Sequence, residues 1–409
     1  MIQTRAPEQT SFRQHLIDPE TCIRCNTCES RCPTKAISHD RNYVVDPERC
    51  TYCMRCVRPC PTGAVDHWFI VDRPYSVQDQ LAWSKLPDPS RSSAVEDVPD
   101  AFDEEALKLL EDAHEAMGGP GKAPESASKP QVNVYTRTNP AKATVTGNIR
   151  ITAECSASNV HHIIVDFGAV RVPYLEGQSV GVIPPGIDLD GRPHTMRLYS
   201  IASARDGERP NTNNMALAVK RIVQRDDGGR EVRGIASNWL CDLQPGETVE
   251  IVGPFGSTFL MPEDPDTDLL MICTGTGVSL FRGFTHRRRR TCPNARGRLF
   301  LFYGARSADE LPYFGPLQGY VQSELHRELV YSRSTGSEKE YVQDRLRRRA
   351  ADVAELLRKD KTHIYVCGLR GLEDGVEAAL TDIGREHGID WKTLRPELRR
   401  TGRLHIEVY

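Results

Sequence analysis

Eight of the thirteen cysteines lie in one short stretch, with the spacing of a metal-cluster ligand set. Cys22, Cys25, Cys28 and Cys32 read C-x2-C-x2-C-x3-C and are followed by Pro33; Cys50, Cys53, Cys56 and Cys60 repeat the pattern and are followed by Pro61. Three thiolates on one tight loop can reach three iron corners of a [4Fe–4S] cube, and the fourth must arrive from another direction. Each proline turns the chain away and has no N–H to leave unpaired. C-x2-C pairs also serve tetrahedral zinc, although triplets with a displaced Cys-Pro suit it poorly. Disulfides are a third reading. They fit badly with a start, Met1-Ile2-Gln3-Thr4-Arg5-Ala6-Pro7, that has no apolar secretory segment.

The run resembles that of the bacterial two-cluster ferredoxins. The resemblance implies two [4Fe–4S] clusters with crossed ligation: Cys22, Cys25, Cys28 and Cys60 on one, and Cys50, Cys53, Cys56 and Cys32 on the other. The two halves are a duplication. Asp18-Pro19-Glu20 is matched by Asp46-Pro47-Glu48, and Pro33-Thr34-Lys35-Ala36-Ile37 by Pro61-Thr62-Gly63-Ala64-Val65, always at an offset of 28 residues. Repeats this short bury little surface, so the clusters are expected to staple a domain with almost no core.

A second set of chemistry-bearing residues runs through the rest of the chain. Arg197-Leu198-Tyr199-Ser200 offers a cation, a flat aromatic ring and hydroxyls within four residues. Gly234-Ile235-Ala236-Ser237 reads as a helix start. Thr274-Gly275-Thr276-Gly277 follows an apolar strand and precedes a helix, so its backbone can approach a phosphate. Ser332, Arg333, Lys339 and Tyr341 are hydroxyl and cationic donors suited to a 2′-phosphate, where an NAD site would place an acid. Cys367-Gly368-Leu369 and the terminal Glu407-Val408-Tyr409 complete the series.

In this order, over residues 131–409, the motifs resemble those of the plant-type ferredoxin–NADP⁺ reductase family. That resemblance implies FAD and NADP(H) as cofactors. Arg197, Leu198, Tyr199, Ser200, Gly234, Ile235, Ala236, Ser237 and the strand-end Lys220 would contact cofactor, with Ser200 bonded to flavin N5 and Ser237 capping its helix. Thr274, Gly275, Thr276, Gly277, Ser332, Arg333, Lys339, Tyr341, Gln343, Gly368 and Leu369 would hold the nucleotide. Cys367 would lie beside nicotinamide C4, Tyr409 would stack on the flavin, and Glu407 would sit near Ser200. Cys367 also reads as a small buried hydrophobe, and Lys339 as a solvated charge. Two positions depart from the family pattern. Gln224 stands where a tyrosine is expected against the FAD adenine, and Ser279-Leu280 replaces the usual Ala-Pro.

The elements that must position these residues fall into segments. Residues 1–75 read as the ferredoxin module and 76–130 as an acidic linker with one helix over Asp103–Met117. From Asp88 to Glu115 there are ten acids against Arg91 and Lys108, which is a solvated connector or a docking element. Residues 131–265 show short alternating strands at 143–151, 162–167, 179–183, 215–223 and 248–252, as an antiparallel FAD-binding β-barrel requires. Residues 266–409 alternate strands (269–273, 298–303, 328–331, 363–366) with helices (279–290, 342–358, 371–388), the pattern of a parallel-sheet NADP-binding α/β domain. The fold class is therefore multidomain, α+β followed by α/β. The Arg287–Arg290 run reads as a solvated helix face or a docking patch.

A net charge of −3 with 27% charged residues argues against a nucleic-acid binder. No apolar run approaches the length of a membrane span, and the cytoplasm is the expected compartment. A hydride acceptor, a flavin and one-electron carriers in one chain make an NADPH-dependent electron-transfer enzyme. The whole-chain architecture resembles the reductase components of benzoyl-CoA 2,3-epoxidase systems. That implies a separate diiron oxygenase as partner and leaves a homodimer open. The competing readings are a general NADPH–ferredoxin oxidoreductase and a cluster-based redox sensor.

Overall fold

A computed structural model describes residues 12–19, 22, 24, 26–57, 60, 64–65, 68–71, 73–84, 86–87, 121–187, 191–226, 229–313, 317, 319–321, 323–333 and 339–409. The expected helix over 103–117, most of the acidic connector, and Cys25 lie outside the described residues. The chain divides into two units, Met1–Asp100 and Ala101–Tyr409.

In the first unit the sequence duplication is legible in the backbone. Asp18 N–H donates to Ala64 O (2.8 Å) and Cys22 N–H to Asp18 O (3.0 Å); 28 residues on, Asp46 N–H donates to Ala36 O (2.8 Å) and Cys50 N–H to Asp46 O (3.0 Å). The ligand loops repeat too. Arg24 and Asn26 take φ of 57° and 61°, and their equivalents Tyr52 and Met54 take 57° and 58°. Left-handed backbone at four non-glycine residues is locally unfavourable and persists only where the surroundings fix it. Strand β1 (Phe12–His15) pairs antiparallel with β4 (Trp68–Val71); helix α1 (Thr27–Arg31) is followed by the hairpin β2 (Ile37–His39) and β3 (Tyr43–Val45). The core is small: Ile17, Ile37, Tyr43, Val45, Ala64 and Val65 close around buried Cys28 and Cys56, with Cys22, Cys32, Cys50 and Cys60 packed on it. The cysteines are thus a large part of the core.

Residues 76–84, the start of the connector expected over 76–130, pack onto this unit. Helix α2 (Val77–Leu81) starts with a Ser76–Asp79 capping box. The buried Gln80 side chain accepts from Val45 N–H (2.9 Å) and donates to Val45 O (2.7 Å), completing the free edge of β3 as another strand would.

The second unit begins with an antiparallel sheet. Its strands are β5 (Ala141–Arg150), β6 (Val160–Asp166), β7 (Ser179–Val182), β8 (Arg197–Ser200), β9 (Asn214–Lys220), the exposed hairpin β10 (Val223–Arg225) and β11 (Glu231–Arg233), and, after helix α3 (Ile235–Asp242), β12 (Thr248–Phe255). The six long strands run in the order β8-β7-β12-β5-β6-β9. The two edges meet through an Ile201–Leu217 bridge and a hydrogen bond from Ala202 N–H to Ala216 O (2.8 Å), which closes a barrel. Leu240 and Cys241 of α3 join the barrel core, and Asn148 Nδ2 donates to the carbonyls of Leu240, Cys241 and Leu243 at the helix end.

The rest is a doubly wound layer. In chain order it comprises β13 (Asp268–Thr274), α4 (Val278–Thr291), β14 (Leu299–Ala305), β15 (His326–Tyr331), α5 (Val342–Arg348), α6 (Ala350–Leu357), β16 (Thr362–Gly368), α7 (Leu372–His387), α8 (Trp391–Arg400) and β17 (Leu404–Val408). The sheet order is β15-β14-β13-β16-β17, all parallel. Period-2 alternation sorts the side chains of β13: Leu270 and Ile272 face the layer of α5 to α8, while Leu269, Met271 and Cys273 face α4 and the barrel residues Phe259 and Met261. The single helix expected over 342–358 is broken at Arg349 (φ −102°, ψ 29°). Helix α8 is not among the expected helices and carries Pro396 in its interior; buried Trp391 and Leu398 anchor it.

Two members of the Arg287–Arg290 run, Arg288 and Arg290, are not solvated, while Arg289 is exposed. Buried Arg288 donates to the carbonyls of Pro265 (3.0 Å) and Thr267 (3.2 Å), and Arg290 to Asp206 Oδ1 (2.9 Å) and the carbonyls of Gly207 and Glu208 (2.7 Å each). Arg287 lies 3.5 Å from Glu263 and Arg289 3.6 Å from Glu324. Nearby, Arg282 of α4 forms a two-pronged pair with Glu208 of the barrel, and His162 lies 3.3 Å from the same carboxylate. Burial pushes the Glu208 pKa up, but the hydrogen bonds from His162 and Arg282 outweigh it and hold the carboxyl well below the usual range. These pairs fasten barrel to parallel sheet.

Candidate functional site

The strand order reverses beside β13, and ligands of open α/β sheets bind in the crevice at such a point, outside the carboxyl ends of the strands. Thr274 ends β13, Gly275–Gly277 form one 3₁₀ turn, and α4 follows. A Cβ at Gly277 would stand 2.4 Å from Cys367 O, and one at Gly368 would stand 2.3 Å from Thr274 Oγ1, so both positions need glycine for close approach. Sheet register sets Cys367 between Cys273 and Glu407. Tyr409 N–H donates to Gly368 O (3.0 Å), and its hydroxyl lies 2.7 Å from Thr276 Oγ1. The structure therefore brings Cys367, Glu407, Tyr409 and Thr276 to one place.

Their electrostatics follow from enclosure. Burial, then the neighbouring Glu407 and Cys273, pushes the Cys367 thiol well up. Burial raises the Glu407 carboxyl to about 7, although the residue as a whole is only half-buried. The Tyr409 hydroxyl is raised as well, first by burial and then by Cys367, although the residue as a whole is exposed.

Beside this group opens a cavity of about 370 Å³. Of the residues singled out in the sequence, Lys220, Thr274, Gly275, Thr276, Ser332, Tyr341, Gln343 and Leu369 line it. Arg333 and Lys339 are exposed and do not line it; Arg333 N–H donates to Arg306 O (2.7 Å), and Lys339 Nζ sits 4.9 Å from the Tyr341 ring centre. Arg306, Glu310, Glu340 and Arg370 also line the cavity and were not anticipated. Arg306 directly follows β14, and the rule that ligands sit at carboxyl ends of parallel strands was the available signal. The Glu340 carboxylate is not free to meet a ribose hydroxyl: Arg345 pairs with it at 2.7 Å, which holds it below its usual pKa, and Arg348 lies 3.5 Å away. A cavity with hydroxyl donors, cations on its walls and rim, and a neutralised acid fits a phosphorylated nucleotide.

On the barrel, Ser200 pairs with Ser179 across β8 and β7. Arg197 is exposed and donates to Thr195 Oγ1 (2.6 Å) and Met196 O (2.9 Å). Leu198 packs against Met196, Val252 and Phe255. Tyr199 leans on the barrel core, and burial raises its hydroxyl. No hydrogen bond joins Ser200 to Glu407. The N-cap of α3 is Gly234, not Ser237 as expected. Ser237 is buried one turn in, where its Oγ accepts from Ile222 N–H (3.1 Å) and donates to Gly234 O (3.3 Å). No side chain caps this helix start, which leaves its first N–H groups for an anion beside buried Ala236 and exposed Ile235. Gln224 sits on the exposed hairpin opposite Val232.

In the first unit the cysteines sort into two groups. Cys28 has Cys22 and Cys60 as near neighbours, whereas Cys56 has Cys53, Cys50 and Cys32. Burial first, and these neighbours next, raise both thiols; Cys28 reaches about 11. Thiols so raised are held as thiolates only by a cation among them. Ala36 N–H donates to Cys32 Sγ (3.2 Å), aiming that sulfur. Among the described residues, no group of three His, Cys, Asp or Glu side chains is placed to hold a single metal ion.

Barrel, parallel sheet and glycine-lined cleft define a pyridine-nucleotide oxidoreductase, and comparison with known proteins makes it more particular. An oxidoreductase NAD-binding domain model matches residues 271–378, and a 4Fe-4S dicluster domain model matches residues 21–64. The cyanelle ferredoxin–NADP reductase of Cyanophora paradoxa is 38% identical over 287 residues, covering 68% of this chain and 79% of the relative. Leaf isozyme 1 of the Arabidopsis thaliana chloroplast enzyme is 37% identical, with the same coverage. The solved ferredoxin–NADP⁺ reductase of Plasmodium falciparum matches with a TM-score of 0.54 at 26% identity, over 68% of this chain and 99% of that one. A mutant of it was solved with 2′P-AMP; it matches at 26% identity and a TM-score of 0.54, over 68% of this chain and 98% of that one. The chain belongs to the ferredoxin–NADP reductase family and carries in addition a 4Fe-4S dicluster domain.

Proposed function

We propose that this protein takes electrons from NADPH through FAD and two [4Fe–4S] clusters to a separate diiron oxygenase that epoxidises benzoyl-CoA. The observation that carries the electron path is the pairing, in one chain, of the Thr276–Tyr409–Cys367–Glu407 cleft with the two cysteine groups. The modules are residues 1–75 for the clusters, 76–130 as connector, 131–265 for FAD and 266–409 for NADP(H), in a cytoplasmic protein. FAD, when bound, accepts a hydride from NADPH and releases its two electrons one at a time.

The chain's own residues bind, orient and move protons. Ser332, Arg333, Lys339 and Tyr341 hold the 2′-phosphate, and Thr274 to Gly277 present backbone to the pyrophosphate. Arg197 and the uncapped start of α3 hold the FAD phosphates, with Tyr199 and Ser200 along the ring. Tyr409 would cover the flavin ring face that the nicotinamide must occupy. Glu407, poised near neutrality, holds or yields a proton beside Cys367. Cys22, Cys25, Cys28 and Cys60 ligate one cluster, and Cys50, Cys53, Cys56 and Cys32 the other.

The relatives' own names favour a second reading, a general NADPH–ferredoxin oxidoreductase with another acceptor. The deciding experiment mixes the holo-protein with a diiron benzoyl-CoA oxygenase, NADPH, O₂ and benzoyl-CoA. Oxygenated CoA ester that requires this chain supports the first reading. NADPH oxidation that yields only peroxide supports the second.

A further inference from the structure

The ligand loops carry an unbalanced charge. From Cys22 to Cys60 there are seven Lys and Arg against four Asp and Glu, in a chain whose net charge is −3. The excess gathers at one cysteine group. Arg31 precedes Cys32, Lys35 lies in the turn closed by its N–H to Cys32 O (3.2 Å), and Arg49 precedes Cys50 and donates to Thr34 O (3.2 Å). All three are exposed, and none forms an ion pair among the described residues. Three acids lie nearby: Glu48 is exposed, half-buried Asp46 accepts at Oδ1 from Glu48 N–H (2.9 Å), and Glu29 is occupied by His39 Nδ1 at 2.5 Å. Half-buried Arg55 belongs to the same group, where it lies beside Cys53 and offsets thiolate charge rather than adding to the exposed rim.

We infer that the cluster held by Cys32, Cys50, Cys53 and Cys56 is the electron exit, and that its rim of Arg31, Lys35 and Arg49 docks an acceptor protein with an acidic surface around its own redox centre. The inference rests on the cluster pathway proposed above. Exposed like charges around an exit raise the encounter rate of an oppositely charged partner and make it fall with salt.

The test uses the full-length holo-protein with NADPH and two protein acceptors, cytochrome b5 (acidic) and cytochrome c (basic). Reduction of cytochrome b5 should fall roughly tenfold between low and high ionic strength, and cytochrome c should be the slower acceptor at low salt. Arg31→Glu with Lys35→Glu should slow cytochrome b5 reduction about tenfold at low salt, while Arg24→Glu, beside the other cysteine group, leaves it within about twofold. Ferricyanide reduction and iron content should stay unchanged in all three forms, which shows that the variants are folded and loaded. Reduction of cytochrome b5 that needs the clusters but ignores salt and charge reversal overturns the surface. So does a rate that rises with salt. Equal rates in a Cys56→Ala variant would instead sink the cluster pathway itself.

Discussion

The hydroxyl of Tyr409 lies 2.7 Å from Thr276 Oγ1, so the last residue of the chain is tied to the glycine turn that follows β13. In the proposed reading, the ring stands where the nicotinamide must go, and NADP⁺ has to break this bond, worth about 0.5–1.5 kcal/mol, as well as displace the ring. Tyr409→Ala should therefore tighten NADP⁺ binding by about tenfold or more, and Tyr409→Phe, which loses only the bond, by about threefold. Difference absorbance titration measures both. Unchanged affinity in Tyr409→Ala would show that the ring does not compete.

Glu407 gives the cleft a pH dependence. Its carboxyl is pushed up to about 7 by burial, so it is protonated below that pH and charged above it. Flavin reduction by NADPH should show an inflection near pH 7 that Glu407→Gln flattens. Stability has a definite sign. Between the unfolded value of about 4.3 and the folded one, the folded chain holds a proton that the unfolded chain has released. This residue therefore lowers stability as pH rises through that window, and the glutamine variant should lose that slope in denaturant melts.

Two arginines near the cavity should separate. Arg333→Ala should raise KM for NADPH by about tenfold or more and leave KM for NADH nearly unchanged, because only NADPH carries the 2′-phosphate. Arg306, on the cavity wall, should weaken both when replaced by alanine. Equal effects of Arg333→Ala on both nucleotides would remove it from the phosphate site.

Much of this was legible in the sequence. The strands at 179–183, 248–252, 269–273 and 363–366 alternate or run apolar as barrel and parallel-sheet strands must, and they appear with ends shifted by a few residues. Glycine spacing marked the turn at Gly275–Gly277 because close approach to Cys367 admits nothing larger. What stayed hidden depends on partners distant in sequence. Ser237 looked like a cap, but the backbone of Ile222 claims its hydroxyl. The Arg287–Arg290 run looked solvated, but carbonyls at 265, 267, 207 and 208 consume two of its members. Gln80 gave no sign that it would finish the edge of β3.

Crossed ligation makes its own prediction. Cys32 belongs by sequence to the first run but by neighbourhood to Cys50, Cys53 and Cys56. Cys32→Ala should reduce the iron content from about eight to about four per chain. The cluster that remains should be the one on Cys22, Cys25, Cys28 and Cys60. Loss of that cluster with retention of the other, followed by low-temperature magnetic resonance, would contradict the pairing.

The central claim is that electrons entering from NADPH reach the clusters of the same chain through the flavin. Its most direct test is anaerobic stopped-flow mixing of the full-length holo-protein with NADPH, following flavin and iron–sulfur absorbance together. Bleaching of the flavin, followed by bleaching of the clusters at a rate independent of protein concentration, is the predicted result. A flavin that is fully reduced while the clusters stay oxidised would contradict it.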